Sequence, residues 1–165
     1  MADKKQKTVP SALSDMQAEK RKKLAAVLNQ TLADLSDLKS HAKQAHWNLR
    51  GPNFISYHKL ADKVANEADG FADTVAERCI QLGGYVYGLT SHAAKASMLP
   101  KFPEEITDED DCMDALLASV SSVCKSCRAA IEETQDLGDY ATSDMYIDIT
   151  RAFDKIAWML NASLV

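Results

Sequence analysis

Residues 46–84 read HWNLRGPNFISYHKLADKVANEADGFADTVAERCIQLGG, and two interruptions in this stretch decide the fold. At Gly51-Pro52 a helical pattern has to stop, because glycine suits a helix C-cap and proline cannot continue the hydrogen-bond ladder. From Phe54 a second pattern begins. Tyr57, Leu60, Ala61, Val64, Ala68, Phe71, Val75 and Ile80 keep to one broad apolar stripe until Leu82-Gly83-Gly84 ends it. Upstream, Leu24, Val27, Leu28, Leu32, Leu35 and Leu38 recur at spacings of three and four and continue through Ala42 and Ala45, which predicts one long helix from about Asp15 to Gly51. The quoted stretch is therefore the turn and second arm of a long helical hairpin.

Downstream, the segment from Gly84 to Thr107 contains Gly88, Pro100 and Pro103. It is far longer than an ordinary bundle loop and is expected to hold a short helix near residues 91–97. A connection of that size can carry the chain from one end of a bundle to the other. Thr107 followed by four acidic residues, Asp108 to Asp111, reads as an N-cap and an acidic first turn facing the positive end of the helix dipole. Met113, Leu116, Leu117, Val120, Val123, Cys127 and Ile131 mark the third long helix, which Gly138 closes. Tyr140 to about Asn161 forms the fourth, with Ile149, Phe153, Ile156 and Leu160 inward. The expected class is all-α: a ferritin-like four-helix bundle with a short extra helix in the long connection, spanning 15–165 behind a flexible, lysine-containing tail of residues 1–14.

Composition agrees. Six glycines and four prolines in 165 residues, against 46% apolar residues, leave too few turn formers for a sandwich, a barrel or an α/β sheet. The net charge of −5 argues against general nucleic-acid binding. That sum hides an asymmetry: residues 1–23 hold seven basic residues against three acidic ones, and the rest of the chain is strongly acidic. Cys79, Cys112, Cys124 and Cys127 lie inside helical patterns and read as buried helix cysteines, not as a disulfide framework. Cys124-x-x-Cys127 is half a zinc site with no second pair nearby in sequence. With no apolar targeting segment and no membrane-length apolar run, a reducing, cytoplasmic location is expected.

The Glu-x-x-His pairs of common diiron bundles are absent, since Leu38, Lys43, Ile55 and Leu89 stand three residues before His41, His46, His58 and His92. The chain offers His46 at the end of helix 1, His58 and Asp62 one turn apart on helix 2, and Asp73 and Glu77 one turn apart further along it. The two helix-2 pairs are 15 residues apart, or about 22 Å of straight helix, so they cannot grip one ion. His46 can join His58 and Asp62 across the hairpin turn. A two-fold partner with its helix 2 antiparallel would bring Asp73 and Glu77 of one chain against His46, His58 and Asp62 of the other. Imidazole with carboxylate and no thiolate suits iron, with zinc, manganese or cobalt as competitors. On spacing alone, solvated carboxylates and an ordinary interface histidine remain the competing reading.

The pattern H-W-N-x-R-G-x-x-F at 46–54, then His58, Asp62, Asp73 and A-E-R-x-x-x-L-G-G at 76–84, resembles the Dps family, the DNA-binding proteins from starved cells or mini-ferritins. The likeness extends less sharply to the stretch Ala152 to Trp158 and covers most of 15–162. It implies a homo-dodecameric shell whose ferroxidase centres lie between two-fold-related subunits, with His46, His58 and Asp62 from one chain and Asp73 and Glu77 from the other as catalytic metal ligands. It further implies Fe(II) as substrate, hydrogen peroxide as the preferred oxidant, a ferric mineral stored inside, and DNA spared from oxidative damage. By the same resemblance Trp47 and Trp158 are candidate electron donors, with core packing as the alternative. Asp144, with Asp148 one turn on, is a candidate iron-entry pore residue, and Asp139 a weaker one. Some members bind DNA through lysine-rich N-termini, so Lys4, Lys5 and Lys7 are candidate, sequence-independent DNA contacts. A nucleoid-compacting shell, nucleoid-associated and with iron oxidation secondary, is the alternative function. His41 and His92 are expected to be structural or surface residues, or adventitious zinc ligands.

Overall fold

The computed structural model describes residues 14–164. Five helices follow one another: α1 (Ala18–Asn48), α2 (Phe54–Gln81), α3 (Thr90–Ala96), α4 (Glu109–Asp136) and α5 (Tyr140–Ser163). Among the described residues the only β-type pairing is an isolated bridge between Arg50 and Asp108. The expected ferritin-like bundle with a short helix in its long connection is the fold observed. Within it α1 packs most extensively on α2 and α4 on α5, giving two hairpins laid together. No helix among the described residues is long and apolar enough to cross a membrane.

The apolar stripes meet in one core. Leu24, Leu28, Leu35 and Leu38 from α1, Val64 and Val75 from α2, Met113, Leu116 and Val120 from α4, and Tyr146, Ile149, Phe153, Ile156 and Leu160 from α5 are all inaccessible to solvent. Each large side chain among them contributes about 1.5–3 kcal/mol by leaving water. Tyr146 is admitted because its hydroxyl meets Thr31 Oγ1 at 2.9 Å, and burial pushes its acidity down, so the phenol stays neutral. All four cysteines are buried and free. Burial pushes the thiols of Cys124 and Cys127 up to about 12, so neither is a thiolate ready for zinc at neutral pH. They are buried helix cysteines, as expected.

The hairpin turn is locked from α4. The Glu109 carboxylate accepts the Asn53 backbone N–H at 2.9 and 3.0 Å and the Asn53 side-chain amide at 2.9 Å. It lies so close to the turn that a Cβ on Gly51 would sit 2.2 Å from Glu109 Cδ, so a larger residue there would push the carboxylate off the Asn53 groups it holds. The start of α4 is thereby fixed at the end of the bundle that carries the α1–α2 turn, and Arg50 N–H donates to the Thr107 carbonyl at 2.7 Å. Residues 82–108 consequently traverse the length of the bundle. They are stitched to α1: Asn29 donates to the Tyr85 carbonyl and accepts from Tyr87 N–H, while Asp34 accepts the Met98 N–H.

Three expectations need correction. The N-cap of α4 is Asp108, whose carboxylate accepts from the N–H groups of Asp110 and Asp111; Thr107 stands one position before it, its carbonyl accepting from Arg50 N–H. Helix α1 begins at Ala18, three residues later than periodicity indicated. Ile80, placed on the inward stripe of α2, is 55% exposed, because the buried stripe at this end runs through Val75, Cys79 and Leu82, and Ile80 lies about 100° around the helix from Cys79.

Candidate metal centre

At the turn end of the hairpin, α1 and α2 press two imidazoles together. The rings of His46 and His58 stack with centroids 3.6 Å apart and planes 22° from parallel. Each is held by the backbone of the other: His46 Nδ1 lies 2.9 Å from the His58 carbonyl oxygen, and His58 Nδ1 lies 2.9 Å from the His46 carbonyl oxygen. A carbonyl can only accept, so both Nδ1 atoms carry a hydrogen, and Nε2 is on each ring the nitrogen not taken up by the other histidine's backbone. This reciprocal lock fixes tautomer and ring orientation, as outer hydrogen bonds do for metal-ligating histidines.

Asp62 stands one turn after His58 on α2, with Oδ1 3.9 Å from His46 Nδ1. Its carboxylate is bound by the ammonium of Lys43, which stands three residues before His46 on α1. The Lys43 hydrogen bond is the main cause holding the Asp62 carboxyl below its ordinary value, with the charges of Lys43, His46 and His58 adding to it. Asp62 remains 41% exposed and has lone pairs to spare. Imidazole nitrogen and carboxylate oxygen together make a donor set suited to first-row divalent ions.

Of the five ligands expected from sequence, the fold brings together His46, His58 and Asp62. Asp73 and Glu77 lie exposed further along α2. Among the described residues no three His, Cys, Asp or Glu side chains converge closely enough to hold a metal ion within the chain. Trp47 and Trp158 are 70% and 65% exposed, so the core-packing alternative is overturned for both. Trp47 borders a groove of about 520 Å³ with Lys39, Lys43, Asp69 and Gly88, and Trp158 borders another of about 460 Å³ with Tyr57 and Leu60.

Asp144 and Asp148 are exposed on α5, with Asp148 paired to Arg151. Asp139 is removed from the pore candidates. Its carboxylate is buried, caps α5 through Thr142 N–H, and takes Nη2 of Arg78 at 2.9 and 3.0 Å. His41 is a structural residue, since its Nδ1 lies 3.0 Å from Ser119 Oγ and its ring packs on Phe102. His92 stacks on Tyr87 at 4.9 Å. Lys4, Lys5 and Lys7 lie outside the described residues. The one participant that sequence reasoning passed over is Lys43. Its spacing of three from His46, opposite Asp62 across a hairpin whose register His46 and His58 set, was the available signal.

Comparison with known proteins bears on this arrangement. A family model described as a ferritin-like domain matches residues 25–165. The chain is 36% identical over 149 residues to the DNA protection during starvation protein of Agrobacterium fabrum, covering 90% of this chain and 92% of that one. Among solved structures it resembles DpsC from Streptomyces coelicolor, with a TM-score of 0.90, 31% identity and coverage of 96% and 92%. It also resembles the Dps protein of Vibrio cholerae, with a TM-score of 0.85, 27% identity and coverage of 91% and 94%. The latter is described as a member of a broad superfamily of ferritin-like diiron-carboxylate proteins.

Proposed function

The chain belongs to the Dps family of ferritin-like proteins, and from that premise we propose that it is a ferroxidase that oxidises Fe(II), stores the ferric product inside a dodecameric shell and so protects DNA. Fe(II) is the substrate, and the oxidation takes place between two-fold-related subunits. His46, His58 and Asp62 come from one chain, and Asp73 and Glu77 from its neighbour. Hydrogen peroxide is the preferred oxidant: two Fe(II) ions give up one electron each, and the peroxide O–O bond breaks as it takes both. Removing Fe(II) and peroxide together suppresses radical formation.

The reciprocal hydrogen bonds of His46 and His58 are the observation that carries this reading, because they occupy both Nδ1 atoms and leave Nε2 of each ring as the nitrogen available to an ion, with Asp62 beside His46. Two further features support a second copy over this face. Asp73 and Glu77 have no hydrogen-bond or ion-pair partner in the chain among the described residues, and the exposed apolar residues Trp47, Ile80, Tyr85 and Leu89 lie on the same two helices and the connection after them. The Nε2 atoms bind and orient the ion, the carboxylates stabilise the Fe(III) state, and Trp47 and Trp158 stand as donors for surplus oxidising equivalents. Zinc competes for the same donors. Asp144 and Asp148 serve as an entry path for cations.

The test follows anaerobic Fe(II) oxidation optically after addition of peroxide or of dioxygen. Peroxide should react faster, and Asp73→Ala with Glu77→Ala should abolish the fast phase while light scattering still reports the assembled shell. An unchanged rate in that variant removes the site. For DNA, Lys4, Lys5 and Lys7 are the contacts proposed, multiplied by the copies on one shell. A gel shift at low salt should be lost when residues 1–10 are deleted, and equal retardation would clear those lysines.

A further inference from the structure

The first turn of α2 is not fixed by its own sequence. Asn53 stands at its N-cap, where an asparagine side chain ordinarily accepts from the N–H groups of the turn it begins, yet here it caps nothing. Its amide instead donates to Glu109 Oε1 on α4 at 2.9 Å, and its backbone N–H donates to both Glu109 oxygens at 2.9 and 3.0 Å. Asn53 is the only hydrogen-bond partner of this buried carboxylate among the described residues. The N–H groups of Ser56 and Tyr57 in turn donate to the Asn53 carbonyl, so the start of the helix moves with Asn53. Beside Asn53, the Phe54 ring lies 5.0 Å from that of His58, which stacks on His46. Glu109 thus reaches both imidazoles through Asn53 and Phe54.

We propose that Glu109 is a positioning residue of the metal centre, fixing the start of α2 so that His58 presents its ring against His46. This rests on the inter-subunit centre proposed above. A buried carboxylate is costly to keep, and the donors of one neutral residue offset that cost only with help from the positive end of the α4 dipole, whose first turn Glu109 occupies. What the charge supplies in return is geometry. Hydrogen bonds to a charged acceptor are short and about twice as strong as neutral ones, so three such contacts hold one residue tightly. The two histidines meet in only one register, because each Nδ1 donates to the backbone carbonyl of the opposite arm and a slide of α2 along α1 breaks both bonds together. Glu109 opposes that slide from outside the hairpin, gripping it five residues before His58. Misplacing a reacting group by about 1 Å can cost about a hundredfold in rate, so a grip at the turn is felt at the ion.

The experiment titrates the assembled protein with Co(II), whose visible spectrum reports coordination without oxidation. Glu109→Ala should weaken Co(II) binding by about tenfold, the scale on which loss of an outer-shell partner acts, and shift the visible bands of the bound ion. Glu109→Gln keeps an acceptor for Asn53 and should lose less. Adding Asn53→Ala to Glu109→Ala should cost no further affinity, because the carboxylate acts through that side chain. Leu28→Ala is the control for stability alone: it empties core volume 18 residues before His46, about 27 Å along the helix, and should melt earlier yet bind Co(II) as wild type. Wild-type binding by Glu109→Ala, with Asp73→Ala and His58→Ala both weakened, would leave the centre standing and confine Glu109 to the fold. A loss by Leu28→Ala as large as that of Glu109→Ala would also overturn the proposal, since instability and not position would then matter. Should neither Asp73→Ala nor His58→Ala alter Co(II) binding, the centre itself is misassigned and the proposal falls with it. Solution mass identifies any variant that fails to assemble; if Glu109→Ala does, Glu109→Gln and Asn53→Ala carry the same comparison.

Discussion

Two of the ion pairs that join helices in this chain use the same chemistry to opposite ends. Arg78 to Asp139 joins α2 to the start of α5; Lys43 to Asp62 joins α1 to α2 at the metal centre. Both carboxyls lie below their ordinary value: the Lys43 hydrogen bond leads at Asp62, whereas at Asp139, against the opposing effect of burial, the Thr142 hydroxyl and N–H lead and Arg78 adds to them. Asp139, however, is only 4% exposed, and its oxygens are taken up by Arg78, by the Thr142 hydroxyl and by the Thr142 N–H. Asp62 has one strong partner and open lone pairs. A carboxylate with every lone pair satisfied is a structural joint, whereas one with a single removable partner is a ligand held ready. Charge pairing alone does not tell the two apart; satisfaction does.

The sharpest way to break this comparison is to delete each carboxylate and ask which property fails. Asp62→Ala should lower the rate of Fe(II) oxidation by about a hundredfold, the scale on which loss of a ligand or its support acts, and leave the melting temperature near that of wild type. Optical kinetics beside thermal melting reads both. A stability loss as large as the activity loss would place Asp62 among the joints.

Asp139→Ala should do the reverse. It strands the Arg78 guanidinium and removes the cap of α5, and together these should cost about 2–4 kcal/mol after allowance for the partial exposure of Arg78. Urea unfolding at fixed protein concentration measures it, since assembly makes apparent stability concentration-dependent. Co(II) binding should be unchanged.

The same contrast separates two histidines on α1. His46 keeps a free Nε2, whereas His41 is enclosed by Ser119, Phe102 and Asp37. Burial pushes the His41 imidazole below its ordinary value of 6.5, and Asp37 only partly offsets this. The neutral ring is therefore the native form, while the unfolded chain takes up a proton at the ordinary value. Its contribution to stability is complete above pH 6.5 and is lost as pH falls below it. Wild type should lose melting temperature between about pH 7 and about pH 5, and His41→Gln should lose less over that interval. Parallel curves would show that His41 takes up its proton equally readily in the folded and the unfolded chain, so that burial does not set its charge.

The sequence was most readable where physics acts locally. The Gly51-Pro52 stop, the apolar stripes and the spacing of His46, His58 and Asp62 follow from helix geometry, and the bundle and its hairpin register follow from them. What escaped reading needed two segments distant in sequence. Glu109 locks the hairpin turn from 56 residues away, and Asp139 is committed to Arg78 from 61 residues away. Thr107 reads as the cap of α4, but the Asp108 carboxylate takes the N–H groups of Asp110 and Asp111, while the Thr107 carbonyl pairs with Arg50 from the hairpin turn. Lys43 was overlooked for a different reason: a lysine three residues before a histidine means little until the hairpin register sets it opposite an aspartate.

A third ion pair tests how local the effect of Lys43 is. Lys39 Nζ meets Asp69 Oδ1 at 2.7 Å across the same two helices, one turn of α1 further from the turn. Both partners are largely exposed, so an isolated pair of this kind contributes about 0–1 kcal/mol, most of it screened by salt. Lys39→Ala should therefore move the unfolding free energy by no more than about 0.5 kcal/mol and leave Fe(II) oxidation at the wild-type rate. If oxidation instead slows, the centre responds to the general positive field along α1, and contact with Asp62 no longer distinguishes Lys43 from its neighbour. Distance cannot decide between these outcomes, because both lysines touch a carboxylate; what differs is that only Asp62 lies beside His46.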